Sequence, residues 1–449
     1  MKQILLILPA AFLSAHVYAA SPAGLTEPVT ETPSRSASVP AGPLNSEAEE
    51  PAFDLTLRQA LALTLKFNLE LSAYSHELRA SEAALLQAGA MPNPVLDLNG
   101  ENLSNNRLRA NGDRTSTIQI GQLIELGGKR TARIKLAEAG RSLANWDYEA
   151  KRLDVLFRVS QIFIDVVAGQ HGQALAGESN RLAQQVADTV GKRVLAGKVS
   201  PIEETKARIA LSAAQIELEQ AKRQLAVARK RLSTLWGNPN PRFQNAAGDL
   251  EKFTSMPAHE RLAGRVRNNP DLARWTAEIA RRQAAIETEK AKAVPDITLS
   301  AGMRRFSQFD DRAYLVGISI PIPVFDRNRG GILEASRRLD KTMDEQHAAE
   351  NRLSTDLAQS FHRVSAIRNE IDTLRAAILP GARSAYDGAT KGYQLGKFGF
   401  LDVLDAQRTL FQARSQHLRA LADYHRGLSE IERLIGGPLE EPPPNADKR

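Results

Sequence analysis

Two acidic side chains, Asp402 and Asp405, form the pair in this sequence that is best placed to contact a charged ligand. They lie three residues apart, so both project from one face of the segment if it is helical. Paired carboxylates attract cations. Acidic residues in the first turn of a helix also complement its dipole, which is the simpler interpretation. The pair is therefore a candidate cation-contacting site, with helix capping as the alternative.

Signatures of enzymatic chemistry are missing from the sequence. It contains no cysteine, no HExxH and no GxSxG motif. The segment Gly127 to Lys129 evokes a phosphate loop only superficially, because Leu123 replaces its first glycine and Arg130 replaces the Ser or Thr that holds magnesium. The eight histidines and five methionines form no cluster, and His417 fits a packed histidine better than a metal ligand. The sequence predicts no catalytic residue, no metal site and no cofactor.

A glycine-lysine pair that occurs twice indicates how the candidate pair is positioned. Gly197-Lys198 and Gly396-Lys397 lie 199 residues apart (396 − 197), and each separates two helical runs. Each is predicted to form a tight turn between a helix and a returning helix. The earlier copy has Glu203 and Lys206 where the later one has its two aspartates. That copy therefore lacks the doubly acidic face.

The chain is predicted to be a tandem duplication of a unit of about 200 residues. The predicted segments are a signal peptide (1–20), a disordered lead-in (21–52), two repeats (53–250 and 251–437) and a flexible tail (438–449). An uncleaved membrane anchor is the alternative for the first segment, although its apolar run is short for a bilayer. The net charge of +7 comes from basic residues interspersed with acidic ones, which favours solvated helix faces over nucleic-acid binding.

Each repeat is predicted to contain a half-length helix, a β-hairpin, a long helix and a returning helix. The predicted helices of the first repeat span Thr56 to Ala90, Lys129 to Ala196 and Pro201 to Trp236, and the second long helix spans Gly331 to Leu395. The long helices measure roughly 100 Å, and the half-length ones about 50 Å. Two half-length helices stacked end to end therefore match one long helix. Pro380 is expected to kink or loosen the second long helix.

A leucine and alanine seam with heptad spacing marks the first returning helix. Its members are Leu211, Ala214, Leu218, Ala221, Leu225, Ala228, Leu232 and Leu235. Such a seam predicts close coiled-coil contact. The corresponding seam of the second repeat is less regular, and it includes His417.

The hairpins alternate apolar residues with small or polar ones. The apolar members of the second hairpin are Ile297, Leu299, Ala301, Met303, Tyr314, Val316, Ile318 and Ile320. A soluble sheet with one buried face gives the same pattern. Two isolated hairpins in a secreted, helix-rich chain are unstable in water, however. The predicted fold is mainly α with a small membrane β-barrel, to which each chain contributes four strands.

Three segments give the chain a family resemblance. They are Gln122 to Arg130 (QLIELGGKR), Pro321 to Asn328 (PIPVFDRN) and Leu401 to Gln407 (LDVLDAQ). With the signal peptide and the duplication, they resemble the outer membrane factor family typified by TolC, over about residues 53 to 437. The first two segments most resemble the members that serve heavy-metal efflux pumps of the cobalt-zinc-cadmium type.

The resemblance implies a homotrimer in the outer membrane with a long periplasmic tunnel. From the strands alone, two, three or four chains would give barrels of 8, 12 or 16 strands, and only the resemblance selects three. It also implies that Gly197, Lys198, Gly396 and Lys397 meet a periplasmic adaptor, although the glycines can equally be ordinary helix caps. Asp402 and Asp405 would then form the periplasmic gate. Phe398 stands where the best-known relative has a gate-locking arginine.

The predicted function is passive conduction of heavy-metal cations delivered by an inner-membrane RND pump and its adaptor. The outer-membrane lipid is a further expected partner. Multidrug or type I protein export through a TolC-like channel is the alternative within the same architecture. A soluble periplasmic coiled-coil scaffold is the alternative of a different class.

Overall fold

The computed structural model describes residues 50–101, 114–253, 255–307 and 310–439. The predicted signal peptide, the predicted lead-in up to residue 49 and the predicted tail from residue 440 lie outside these ranges. Helices dominate the described chain. In the first half they are α1 (Leu57–Phe67), α2 (Leu69–Ala88), α3 (Lys129–Leu195) and α4 (Pro201–Thr234). In the second half they are α5 (His259–Arg265), α6 (Pro270–Lys292), α7 (Arg329–Thr373), α8 (Leu379–Gln394) and α9 (Phe400–Leu434).

The first predicted helix, Thr56 to Ala90, is wrong as a single helix because Asn68 breaks it. Asn68 has extended backbone angles, and its side chain accepts a hydrogen bond from the Leu71 N–H at 3.0 Å, which caps α2. Its amide group donates to the Leu235 carbonyl at 2.7 Å. Asparagine is among the residues most favoured as an N-cap. The apolar spacing on either side of Asn68 concealed this break.

The second half uses the same device at the same place. Asn269 caps α6 by accepting from the Asp271 N–H at 2.8 Å, and its amide group donates to the Leu434 carbonyl at 2.9 Å. Asn269 is fully buried, and Asn68 is 7% exposed. Each asparagine therefore joins the start of one helix, α2 or α6, to the end of a returning helix, α4 or α9.

The predicted stacking of two half-length helices along one long helix is confirmed in the first half. α2 packs along the first half of α3, where Glu70 forms ion pairs with Lys151 and with Arg158, the second at 2.6 Å. Further along, Gly169 of α3 lies against Leu225 of α4, and a Cβ atom added to it would be 3.3 Å from the leucine side chain. The 67 residues of α3 correspond to roughly 100 Å at the α-helical rise.

The second long helix contains the loosened turn predicted from Pro380. Between α7 and α8 the residues Leu374–Ile378 form one π-helical turn, and α8 carries Pro380 in its first turn. Proline has no N–H and clashes with the preceding turn of an α-helix. The extra residue of a π turn accommodates that clash without ending the helix.

The predicted seams lie between helices, and each of their members is buried or half-buried. In α4 the side chains of Leu225 and Leu232 are buried, and in α9 those of Leu410, Ile431 and Leu434 are buried. A close approach between α7 and α9 also depends on Gly427, because a Cβ atom there would overlap the side chain of Val364. The returning helices are therefore held by tight apolar contact.

Both predicted hairpins are present, and the structure joins them into one sheet. The strands are β2 (Val95–Glu101), β3 (Thr115–Ile124), β5 (Ile297–Phe306) and β6 (Asp311–Ser319), all antiparallel, in the order β2-β3-β5-β6. A separate short pair, β1 (Asp54–Thr56) and β4 (Asn245–Ala247), is parallel and was not predicted.

The two faces of the four-stranded sheet differ in polarity. One face, called here the apolar face, is largely exposed. Its members are Leu96, Leu98, Ile118, Ile120, Leu299, Ala301, Met303, Tyr314, Val316 and Ile318. The opposite face carries mainly polar and small residues, including Thr117, Gln119, Ser300, Gly302 and Arg304.

The folded part begins earlier than the predicted boundary at residue 52. Glu50 is 7% exposed. Its carboxylate accepts hydrogen bonds from the side chains of Trp236 (3.3 Å) and Asn238 (2.6 Å), and from the N–H groups of Arg242 (2.7 Å) and Phe243 (3.1 Å). A buried carboxylate needs such donors. Composition alone did not reveal them.

The folded part also extends past the predicted start of the tail at residue 438. Arg265 donates hydrogen bonds to the carbonyls of Pro438 (2.7 Å) and Leu439 (3.1 Å). Leu439 itself is 6% exposed. These residues therefore belong to the same core as the helix ends near α5.

Candidate functional site at the helical tips

The two tips, residues 196–200 and 395–399, have the same backbone geometry. Gly197 has a φ of 68° and Gly396 a φ of 74°. The Lys198 N–H donates to the Arg193 carbonyl at 2.9 Å, and the Lys397 N–H donates to the Gly392 carbonyl at 2.8 Å. These bonds satisfy otherwise unpaired helix carbonyls in a Schellman motif, which favours glycine at the left-handed position. The predicted tight turns are therefore present.

Exposed side chains surround both glycines. Lys198 and Lys397 are exposed, and no ion pair is recorded for either within the described residues. Leu195 is 90% exposed and Leu395 is 63% exposed. Each tip therefore presents one exposed leucine close to one exposed lysine.

The two candidate gate residues lie in different surroundings. Asp402 accepts a hydrogen bond from the Gly399 N–H at 2.8 Å, so it caps the start of α9. Asp405 instead lines a groove of about 950 Å³ between α3, α4 and α9, together with Glu217 and Arg408. Both aspartates are exposed. Helix capping therefore accounts for an acidic residue at position 402, and it does not account for one at position 405.

One contact between the two tips was not predicted from the sequence. Arg193 donates to the Tyr393 carbonyl at 3.1 Å, and its guanidinium lies 4.4 Å from the centre of the Tyr393 ring. The Tyr393 hydroxyl donates to Glu203 at 3.4 Å. Two residues next to the first tip therefore hold one residue next to the second. The one available signal was a large aromatic residue immediately before a helix end.

Opposing effects act on the pKa of the Tyr393 hydroxyl in this contact. Burial raises the pKa of the Tyr393 hydroxyl above its ordinary value, the negative charge of Glu203 raises it further, and the positive charge of Arg193 opposes both. Tyr393 is 9% exposed and packs with Phe400. It belongs to the apolar cluster that fills the tip end of the helices.

The second tip also closes on itself. A Cβ atom added to Gly392 would lie 2.6 Å from Cε2 of the Phe398 ring. The Phe398 N–H points back to the Gly392 carbonyl at 3.4 Å. The first tip has Arg193 and Val199 at these positions, so only the second tip can seat an aromatic ring against its helix.

Other candidate features of the sequence are not gathered into a site. Across the described residues, no group of three or more His, Asp or Glu side chains is arranged to hold a metal ion. His417 is partly buried, with its Nδ1 atom 3.9 Å from Glu251. Among the helices of the described part, none has the length and the apolar character that a membrane crossing requires.

Comparison with known proteins gives this architecture a context. The chain is 40% identical to the cobalt-zinc-cadmium resistance protein CzcC of Cupriavidus metallidurans, over 86% of this chain and 91% of that protein. It is 28% identical to the nickel-cobalt-cadmium resistance protein NccC of Alcaligenes xylosoxydans xylosoxydans, over 65% of each. Its fold matches a crystal structure of CusC with a TM-score of 0.72 at 18% identity, covering 85% of this chain and 92% of that one.

The family comparison agrees with these similarities. The sequence profile of the family described as "Outer membrane efflux protein" matches residues 60–238 and 266–437. Those ranges include both tips, all the long helices and the four-stranded sheet. The chain belongs to the outer membrane efflux protein family.

Proposed function

We propose that this chain is the outer-membrane channel of a tripartite efflux system and that it passively conducts heavy-metal cations out of the cell. The observation that carries the substrate class is the 40% identity to a cobalt-zinc-cadmium resistance protein over most of both chains. The route is built by helices of roughly 100 Å, which join the sheet at one end and the tips at the other. No step of bond making is required, so the chain acts as a conduit.

The sheet supports a barrel shared between chains. Its apolar face is exposed, and within the described residues β2 and β6 each have one edge without a partner strand. Open sheet edges are not tolerated in lipid. Pooling four strands from each of three chains gives a 12-stranded barrel, which lies within the known range. We propose a homotrimer, with residues 53–250 and 251–437 as its duplicated repeats.

The tips support docking to an adaptor. Gly197 and Gly396 shape two matching turns, and Lys198 and Lys397 expose positive charge on them. A periplasmic adaptor that presents acidic or polar helical ends complements such a surface. The inner-membrane RND pump would then deliver cations through that adaptor.

Asp402 and Asp405 are proposed as the periplasmic gate. Three chains would bring six carboxylates towards one axis, where their mutual repulsion favours bound cations. Asp405 is the stronger candidate because its carboxylate is not used in capping. Asp402 contributes its charge while it caps α9.

A deletion strain tests the substrate class. Loss of the gene should sensitise cells to cobalt, zinc or cadmium, and the wild-type gene should restore growth. Sensitivity to drugs with unchanged metal tolerance would contradict the proposal in favour of multidrug export.

The assembly is tested separately on the purified protein. Light scattering of the detergent-solubilised chain should give the mass of a trimer, and fractionation should place it in the outer membrane. A monomer that remains in the soluble periplasmic fraction would support a scaffold instead.

A further inference from the structure

The apolar face of the sheet ends in a pair of arginines on the loop side. The register pairs Met303 with Tyr314, and two residues further along each strand it pairs Arg305 with Arg312. Side chains two residues apart on a strand share a face. Both guanidinium groups therefore project from the face that carries Tyr314 and Val316.

The two arginines form an unusual cross-strand pair. Directly opposed residues have Cβ atoms about 5 Å apart, and like charges in that position are destabilising. Arg305 is partly neutralised by Asp310, whose carboxylate lies 2.6 Å away. For the exposed Arg312 side chain, no ion pair is recorded within the described residues. The pair as a whole therefore retains positive charge that a bound anion would stabilise.

The height of the pair on the sheet points to the kind of anion. On this face the apolar rows begin at Ile297, which pairs with Ile124 and lies eight residues before Arg305 on the same strand. Eight residues measure about 27 Å along a strand, and a strand tilt of about 40° reduces this to about 20 Å across the membrane. The apolar band of a membrane barrel is about 25 Å tall and is bordered by aromatic residues at both interfaces. Tyr314, which is 84% exposed, occupies the bordering row. The arginines lie one row beyond it, at the level of the lipid headgroups.

The first hairpin provides an internal comparison. At the same height its apolar face carries Gly100 paired with Ser116, and Ser116 is the direct neighbour of Arg305 across β3 and β5. Neither residue is charged. The positive row is therefore confined to the second hairpin, next to small residues that leave room for a ligand.

We propose that Arg305 and Arg312 bind a phosphate group of a lipid headgroup in the outer leaflet. The inference rests on the proposed function, because it requires the sheet to be part of a barrel in the outer membrane. Arginine binds phosphate through a planar fork of N–H donors. Two forks on adjacent strands hold one phosphate from two sides, and Asp310 orients the first of them.

The test compares lipid binding by the wild-type trimer and by an Arg305→Gln/Arg312→Gln double variant. Detergent-purified trimers are titrated with diphosphorylated lipid A and with the same lipid without phosphates, and bound lipid is measured by native mass spectrometry. The double variant should bind the phosphorylated lipid at least about tenfold more weakly. Binding of the dephosphorylated lipid should be weak and equal in both proteins.

The matched control is Arg304→Gln. Arg304 lies next to Arg305 on the same strand but on the opposite face, where it donates to Thr117 at 3.1 Å. This variant removes one positive charge, as the single variant Arg312→Gln does, and it should bind the lipid like the wild type. If the double variant fails to assemble, Arg312→Gln alone gives the same comparison, since it leaves the ion pair of Arg305 intact.

Three results would overturn the inference. Equal affinity of the wild type and the double variant for the phosphorylated lipid would show that the pair is not a site. Displacement of the lipid by equimolar inorganic phosphate would show that the pair selects a free anion. A wild-type chain that does not insert into vesicles would overturn the proposed function as well, whereas normal insertion with arginine-independent lipid binding would overturn only this inference.

Discussion

The two tips share a backbone and differ in almost every side chain that shapes their contacts. Both end a helix with a left-handed glycine, Gly197 or Gly396, and with the same backbone hydrogen bond from the following lysine. The residue that supplies the accepting carbonyl is Arg193 in the first tip and Gly392 in the second. The same backbone turn therefore carries side chains of different chemistry in the two tips.

The difference lies in what each tip contacts. Arg193 and Glu203, on the helices beside the first tip, reach across to Tyr393. The second tip seats Phe398 on its own Gly392 and caps its own helix with Asp402. The two tips thus share the turn, while their side chains make the first tip contact its neighbour and the second contact its own helix.

The largest effect is expected where the tips are alike. Replacing Gly197 or Gly396 with valine forces a β-branched residue into a left-handed conformation, which costs about 1–3 kcal/mol of local strain. No heavy atom lies within 4 Å of a Cβ atom added at either position, so the cost is conformational and not steric. Both variants should lose metal resistance in a growth assay while still inserting into the outer membrane.

Gly388→Val is the control for this pair. Gly388 lies inside α8, with no positive φ and with open space around its added Cβ atom. The Gly388→Val variant should keep wild-type metal resistance. Normal resistance of both tip variants at wild-type protein levels would argue against a role of the turns in adaptor docking.

The next largest effect is expected where the tips differ. Gly392→Ala places a methyl group against the Phe398 ring, and such overpacking costs about 1–3 kcal/mol. Phe398→Ala in the same chain removes the clash, so a double-mutant cycle followed by urea unfolding should show that the second change relieves much of the first. Arg193→Ala, the matching change in the first tip, introduces no clash, and its cost comes instead from the lost contact with Tyr393. Additive costs in the cycle would contradict the close contact.

Substitutions of Asp402 and Asp405 can distinguish a helix-capping role from a gating role. Asp402→Ala should lower stability by about 1 kcal/mol because it removes a helix cap, whereas Asp402→Asn keeps an acceptor for the Gly399 N–H and should be nearly neutral. The Asp402→Asn/Asp405→Asn double variant therefore removes charge with little structural cost. In planar bilayers it should lose cation preference and block by divalent metals. Wild-type preference in that variant would show that the pair is not the gate.

Much of the fold was predictable because it rests on periodic patterns. Heptad leucines indicated the returning helices, strand alternation indicated the hairpins, and the repeated Gly-Lys pair indicated the tips. The break at Asn68 was not predictable, because asparagine interrupts an otherwise regular apolar pattern without proline or glycine. Glu50 was missed for a different reason: its four donors come from residues about 190 positions away.

The candidate site was predictable in its backbone and less so in its side chains. A glycine at a helix end signals a left-handed turn locally, and that signal was sufficient for Gly197 and Gly396. Tyr393 depends on Arg193 and Glu203 from the other half of the chain, and contacts between distant segments leave no local pattern. The different surroundings of Asp402 and Asp405 likewise became visible only with the hydrogen bond between Gly399 and Asp402.

The smallest expected effect concerns the contact that joins the tips. Tyr393→Phe removes the hydroxyl that donates to Glu203, and because that bond is long at 3.4 Å, the loss near pH 8 should be about 0.5 kcal/mol. Tyr386→Phe is the control, since Tyr386 is a buried tyrosine of the same cluster for whose hydroxyl no hydrogen bond is recorded within the described residues.

Alkaline pH should narrow the stability difference between the wild type and the Tyr393→Phe variant. Because burial raises the pKa of Tyr393 in the folded chain, the unfolded chain ionises first as pH rises. The stability contributed by the protonated hydroxyl is therefore complete below about pH 10 and is lost as pH rises through the folded-state pKa. Phenylalanine has no such loss, so urea midpoints should fall less between about pH 9 and 11 in the variant than in the wild type. The pKa of Tyr424 is also raised by burial. Tyr424 is present in both proteins, so the stability that it contributes is lost equally in both at alkaline pH. Parallel pH profiles of wild type and variant would show that the Tyr393 hydroxyl is already solvated, and that the first tip holds the second through Arg193 alone.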